Sequence, residues 1–205
     1  MLEKEREFYS SSVRLIAGVD EAGRGPLAGP VFAAAVIFPP DYQNEEINDS
    51  KKLSEKKREA LFLEIKEHAL AYGIASVSAE EIDAINIYEA TKVAMKKALD
   101  QLEIDYQLII TDAMKLDCKK PVIALIKGDA QCLNVAAASI LAKVSRDHYL
   151  DELDRRYPEY GFAHHKGYGT KEHMDAIAKF GPIEGVHRKS FKPIQKYFFE
   201  QIALF

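Results

Sequence analysis

Residues 14–38 read RLIAGVDEAGRGPLAGPVFAAAVIF, and this stretch decides the fold. RLIAGVD and PVFAAAVIF are short apolar runs of strand length, and the segment between them, EAGRGPLAG, is dense in glycine and proline. The order is therefore strand, loop, strand. Asp20 and Glu21 stand where the first run stops. Neighbouring residues of a regular strand point to opposite faces, so both acids can reach one site only if the strand ends or bends there.

Working outward, SEKKREALFLEIKEHAL (54–70) carries Leu61, Ile65 and Leu70 near helical spacing behind a capping Ser54, which predicts a helix. AYGIASVS (71–78) predicts a third strand. Ser78 with Glu81, and Asn86 with Glu89, then give two helix starts, the second helix turning Val93, Ala94, Ala98 and Leu99 inward. YQLIITDA and PVIALIKGD are two further strands, and Asp112 and Asp129 stand at their ends. LNVAAASILAKVSRDHYLDELDRRY (133–157) predicts a long helix, its Ala-rich first half close to the sheet and its second half charged and exposed. Thr170 caps a helix that Gly181 and Pro182 end, and the last dozen residues predict a terminal helix. Strands with interleaved helices indicate an α/β fold with a mixed central β-sheet flanked by helices.

No repeat, low-complexity tract or linker interrupts the 205 residues, so the expectation is one domain over 1–205, with a tail at 195–205. No apolar run has the length of a membrane span, and the N-terminal MLEKEREFYSSS is polar, which together predict a cytoplasmic protein with no membrane partner. Cys118 and Cys132 are too few for a disulfide framework and lack zinc spacing. The net charge of −4 argues against nonspecific coating of nucleic acid, yet residues 164–196 hold seven Lys/Arg against three acids, so the charge is unevenly spread.

Asp20, Glu21, Asp112 and Asp129 all lie where apolar runs stop. A single strand-end aspartate is an ordinary turn former; three strands ending this way point to a site. Converging carboxylates raise one another's pKa and require something positive. With no His or Cys among them, hard cations such as Mg²⁺ or Mn²⁺ are the expected ligands. Two such ions can hold attacking water and leaving oxygen about one phosphate, with Asp20 expected to bridge them. The residues alone thus reach a metal-dependent phosphodiesterase.

DEAGRGPLAGPV resembles the signature of bacterial ribonuclease HII. It is followed, in the family's order, by NDSKKLSEKKR, EIDAINIYEAT, IITDAMKL, KGDAQCLNVAAASILAKVSRD, YGFAHHKGYGT and GPIEGVHRKSF, over residues 15 to 194. The resemblance implies a ribonuclease H-like fold with additional C-terminal helices, and a metal site of Asp20, Glu21, Asp112 and Asp129. It implies that Gly23, Arg24 and Gly25 read a ribose 2′-hydroxyl while Tyr168 stacks on the neighbouring sugar. The substrates it implies are RNA/DNA hybrids and duplex DNA carrying single ribonucleotides, cut on the ribonucleotide's 5′ side to leave a 3′-hydroxyl and a 5′-phosphate. The roles that follow are ribonucleotide removal from DNA and RNA primer removal.

Lys51 and Lys52, Ser139 and Lys143 on one helix face, and Arg188 with Lys189 are expected at phosphates. His164, His165 and His187 are read as surface histidines outside the chemistry. Glycines on both sides of Tyr168 predict an accessible ring. A monomer is expected. A sliding clamp recruited through the C-terminal tail is an alternative to plain packing of Phe198, Phe199 and Phe205.

Overall fold

The computed structural model describes residues 4–202, and of 199–202 the backbone alone. Five strands, β1 (Ile16–Ala22), β2 (Val31–Ile37), β3 (Ala71–Val77), β4 (Leu108–Asp112) and β5 (Val122–Leu125), form one mixed sheet in the order β3-β2-β1-β4-β5. β2 pairs antiparallel with β1 and β3, whereas β4 runs parallel to β1 and β5. The Gly/Pro segment after β1 is thus a hairpin connection, as the alternation of apolar runs predicts.

The helices are α1 (Glu55–His68), α2 (Ala79–Ile85), α3 (Ile87–Leu99), α4 (Leu133–Arg156), α5 (Phe162–His165), α6 (Lys171–Phe180) and α7 (Lys192–Ile202). Their starts follow the capping chemistry of the sequence. Ser54 accepts from Lys57 N–H, Ser78 and Glu81 close a reciprocal capping box, Asn86 accepts from Tyr88 and Glu89 N–H, and Thr170 accepts from His173 N–H.

Two helices cover the sheet. Ala17 and Val19 of β1 pack into the core formed with Ala94, Met95 and Ala98 of α3, while Ala34 and Val36 of β2 pack with Ala136, Ala137 and Ile140 of α4 on the other face. A Cβ on Gly18 would sit 2.2 Å from the Asn134 backbone carbon, so only glycine lets α4 approach β1 this closely. Asn134 fastens the contact, donating to Ile16 O at 2.7 Å and accepting from Phe38 N–H. The second half of α4 departs from expectation: Arg146, Asp147, Leu150 and Leu153 are buried. Leu150 and Leu153 pack with Phe162, Ile177 and Ile194, so the C-terminal helices cover what the charge pattern left exposed. Among the described residues no helix is long and apolar enough to cross a membrane.

Candidate functional site

Sheet register brings the acids together. Val19 of β1 lies opposite Thr111 of β4 in a parallel pair, so the residues that follow, Asp20 and Asp112, stand at one level of the sheet. Beyond β5 the chain turns through Lys127, whose φ of 58° is left-handed, into a short 3-10 turn at Gly128–Ala130 that returns Asp129 to the same edge. Gly128 N–H donates to the Asp112 carboxylate at 2.8 Å and fixes the turn. One carboxylate oxygen from each of Asp20, Asp112 and Asp129 lies within 4.8 Å of the others.

Glu21 is outside this trio, although its carboxyl interacts with those of Asp20 and Asp112. β1 does not stop at Asp20: Asp20, Glu21 and Ala22 remain paired with Ala34, Ala33 and Phe32, so strand alternation persists. Glu21 Oε1 accepts a long bond from Arg24 at 3.4 Å, and Oε2 is buried with no partner.

The trio's electrostatics are unfinished. Burial lifts the Asp20 carboxyl well above the ordinary range, and the charges of Glu21 and Asp112 push it further. Burial also raises Asp112, with Asp129 adding to it, and raises Glu21 despite the opposing Arg24. Lys51 Nζ stands 3.5 Å from Asp129, but its side chain is 76% exposed. Burial works against its ammonium, and Asp129 and Asp20 outweigh that and raise its pKa. One solvated ammonium cannot neutralise several buried carboxylates. Oxygen donors alone, a partnerless Glu21 oxygen and excess negative charge make a donor set that fits hard divalent cations.

The glycine loop adjoins Tyr168. A Cβ on Gly25 would lie 3.5 Å from Tyr168 Cε1, and Tyr168 is 52% exposed, in keeping with the open ring its flanking glycines predict. Gly23 (φ 101°) and Gly167 (φ 79°) adopt left-handed conformations that side chains disfavour.

Several expected phosphate contacts are placed otherwise. Arg188 is fully buried, and its guanidinium donates to the carbonyls of Gly29 (2.9 Å), Arg24 (3.1 Å) and Gly23 (2.7 Å), which leaves no face for a phosphate. Ser139 is buried and hydrogen-bonded to Ser50 Oγ at 2.7 Å, because α4 packs tightly there. Lys143 is half-buried and donates to Asp147 at 2.7 Å. Lys189 pairs with Glu184 and lies over the Phe198 ring. Lys52 is exposed and lines a cavity of about 470 Å³ with Arg6, Tyr42 and Leu133, whose lining includes none of the carboxylate trio.

The histidines are corrected too. His164 is exposed, but His165 and His187 are buried with His173. Ile183 N–H donates to His187 Nδ1 (2.8 Å), so His187 carries its proton on Nε2 and donates to His173 Nε2 (3.1 Å); His173 then donates from Nδ1 to Tyr168 O (2.9 Å). Burial holds both rings neutral, with pKa values lowered to about 4 for His173 and about 3 for His187. Sequence reasoning missed this relay, and it missed Arg146. Two of Arg146's partners, Ala28 and Pro30, lie more than a hundred residues away, and the relay's partners, though near in sequence, carry no motif that marks the histidines as buried.

The comparisons agree with this architecture. A family model described as Ribonuclease HII matches residues 17–194. A "Ribonuclease HII" of Geobacillus kaustophilus is 54% identical over 196 residues, covering 96% of this chain and 75% of the relative. The crystal structure of ribonuclease H2 from Pyrococcus horikoshii superposes with a TM-score of 0.77 at 28% identity, covering 91% of this chain and 98% of that one. The ribonuclease HII of Archaeoglobus fulgidus, solved in complex with PCNA, gives 0.70 at 27%, covering 85% and 92%. A match that begins within β1 and ends within α7, supported by a half-identical relative, settles the family, and this chain belongs to the ribonuclease HII family as a ribonuclease H enzyme.

Proposed function

We propose that this ribonuclease H cuts the phosphodiester bond on the 5′ side of a ribonucleotide, in RNA/DNA hybrids and at single ribonucleotides within duplex DNA, leaving 3′-hydroxyl and 5′-phosphate ends. The observation that carries this reading is the nearness of Gly25, on the loop that directly follows Asp20 and Glu21, to the exposed Tyr168 ring, whose Cε1 would be 3.5 Å from a Cβ placed on Gly25. A surface able to sense a ribose is then continuous with the carboxylates.

Asp20, Asp112 and Asp129, with Glu21 completing the set, would hold Mg²⁺ or Mn²⁺, two ions during catalysis. When bound, the ions would supply a polarised water and offset the charge of the leaving oxygen. The chain's own part is positional. Strand register sets Asp20 level with Asp112, the Gly128 turn orients Asp112 and delivers Asp129, and Gly23, Arg24 and Gly25 present backbone to the sugar whose neighbour Tyr168 would stack on. Lys51 beside Asp129 is the best-placed described cation for the scissile phosphate.

The biological reading is ribonucleotide removal from DNA and RNA primer removal, by a cytoplasmic monomer. The Archaeoglobus complex makes a sliding clamp a candidate partner. Phe198 packs in the C-terminal core, while the side chains of Phe199 and Phe205 lie outside the described residues.

Cleavage-site mapping on a DNA duplex with one ribonucleotide tests the proposal, with Mg²⁺, Mn²⁺ or chelator present. One cut 5′ of the ribonucleotide is expected with either metal and none with chelator. Equal cleavage of an all-DNA duplex would overturn it.

A further inference from the structure

Two buried arginines hold the glycine loop from beneath. Arg146 is 2% exposed and donates to Pro30 O (3.4 Å), Ala28 O (3.2 Å) and Lys166 O (3.0 Å). Arg188 donates to Gly23, Arg24 and Gly29 carbonyls as described above. Among the described residues neither guanidinium forms an ion pair with a carboxylate. Burying an unpaired cation is costly unless its donors are met, and here backbone carbonyls meet them.

The bonds fix which way the loop's peptides face. In a trans peptide the C=O and the following N–H point in opposite directions, and the described chain has no cis peptide bond. With the Gly23 and Arg24 carbonyls drawn inward onto Arg188, the N–H groups of Arg24 and Gly25 must face outward. Both residues are exposed, and among the described residues neither N–H has an acceptor. They are adjacent free donors beside Tyr168.

Arg146 ties this loop to the Tyr168 turn. It spans Ala28 and Lys166 carbonyls, and Leu27 closes the same joint by donating to Gly167 O (2.8 Å) and accepting from Arg188 N–H (2.9 Å). A Cβ on Gly23 would lie 2.2 Å from Arg146 Nε, and one on Gly167 would lie 3.4 Å from its Nη2. Two left-handed glycines therefore make room for one guanidinium.

We infer that Arg188 and Arg146 are positioning residues for sugar recognition: Arg188 sets the outward N–H donors of Arg24 and Gly25, and Arg146 fixes their distance to Tyr168. The inference rests on the ribonucleotide-reading function proposed above. Lysine keeps the charge but lacks the planar fork that reaches three carbonyls. In Arg188→Lys the loop peptides are free to flip, so the preference for a ribose should weaken while affinity for plain duplex stays.

The test is equilibrium binding, in chelator, of two duplexes that differ by one ribonucleotide, to wild type, Arg188→Lys and Arg146→Lys, with melting temperature recorded for each. A preference at least tenfold weaker in a folded variant, with unchanged all-DNA affinity, is expected. A folded variant that keeps the wild-type preference overturns the inference. Should neither variant fold, amide exchange in wild type decides: protection of Arg24 and Gly25 by the ribonucleotide duplex alone supports it, and equal protection by both duplexes overturns it. If wild type shows no preference and no site-specific cut, the functional reading itself has failed, a result separable from a variant that retains a preference wild type possesses.

Discussion

Two of the places where this molecule buries charge are resolved in opposite ways. Under the glycine loop, Arg146 and Arg188 have their donors taken up by carbonyls of the chain itself. Where β1, β4 and the turn after β5 meet, Asp20, Asp112 and Asp129 face one another with one exposed lysine for relief, and a Glu21 oxygen has no partner. The cationic region is complete within the fold, whereas the anionic region is complete only with something added. The difference separates a structural clamp from a binding site without reference to any ligand.

The largest expected effect breaks the anionic region. Asp20→Asn should lower metal-dependent cleavage on the order of 10³-fold or more, the scale on which one well-placed electrostatic group acts. The same change removes a buried like charge, so with chelator present the melting temperature should rise, by about 2–4 °C for each kcal/mol of repulsion relieved. A fall in melting temperature alongside lost activity would mean that Asp20 is a structural residue.

The cationic region should answer with the opposite sign. Arg188→Met leaves three carbonyls, one buried and two part-buried, without this donor, a loss of about 3 kcal/mol and hence roughly 6–12 °C in melting temperature. Thermal melts of Asp20→Asn and Arg188→Met side by side set the comparison directly; shifts of the same sign would erase the distinction.

Adding Mg²⁺ or Mn²⁺ sharpens it further. A ligand at a hundred times its dissociation constant contributes about 2.7 kcal/mol, so wild type should melt about 5–10 °C higher with saturating metal. Asp20→Asn should lose most of that gain and Arg188→Lys should keep it. An undiminished gain in Asp20→Asn places the metal elsewhere.

How much was legible beforehand follows the same division. Strand runs, caps and strand-end acids are local or periodic features, so β1, β2, the capped helix starts and the gathering of Asp20, Asp112 and Asp129 could be read from residue types. Arg188 was misplaced because a basic segment looks like a phosphate-binding surface until the partner carbonyls, more than 150 residues away, are known. Arg146 lies in a charged helix half that the glycine loop and the Lys166 turn cover, through carbonyls the sequence does not mark. Continuation of β1 past Asp20 was hidden as well, since the glycines that permit a bend do not compel one.

The smallest expected effect concerns another buried polar group, the His187–His173 relay onto Tyr168 O. Both histidines have folded pKa values below their ordinary 6.5, about 3 for His187 and about 4 for His173, because burial opposes their charged forms. Above pH 6.5 folded and unfolded chains are both neutral at these positions, and their contribution is fully present. As pH falls from 6.5 toward 4 the unfolded chain takes up protons that the folded chain refuses, so stability is lost through that window. The raised carboxyls of Asp20 and Asp112 act in the opposite direction over an overlapping range, since the fold holds their protons more tightly than the unfolded chain does. The difference between wild type and His187→Gln isolates the histidine part: wild type should lose more melting temperature between pH 7 and pH 4.5. Parallel curves would show that the relay does not exclude protons, and that its hold on Tyr168 does not depend on neutral rings.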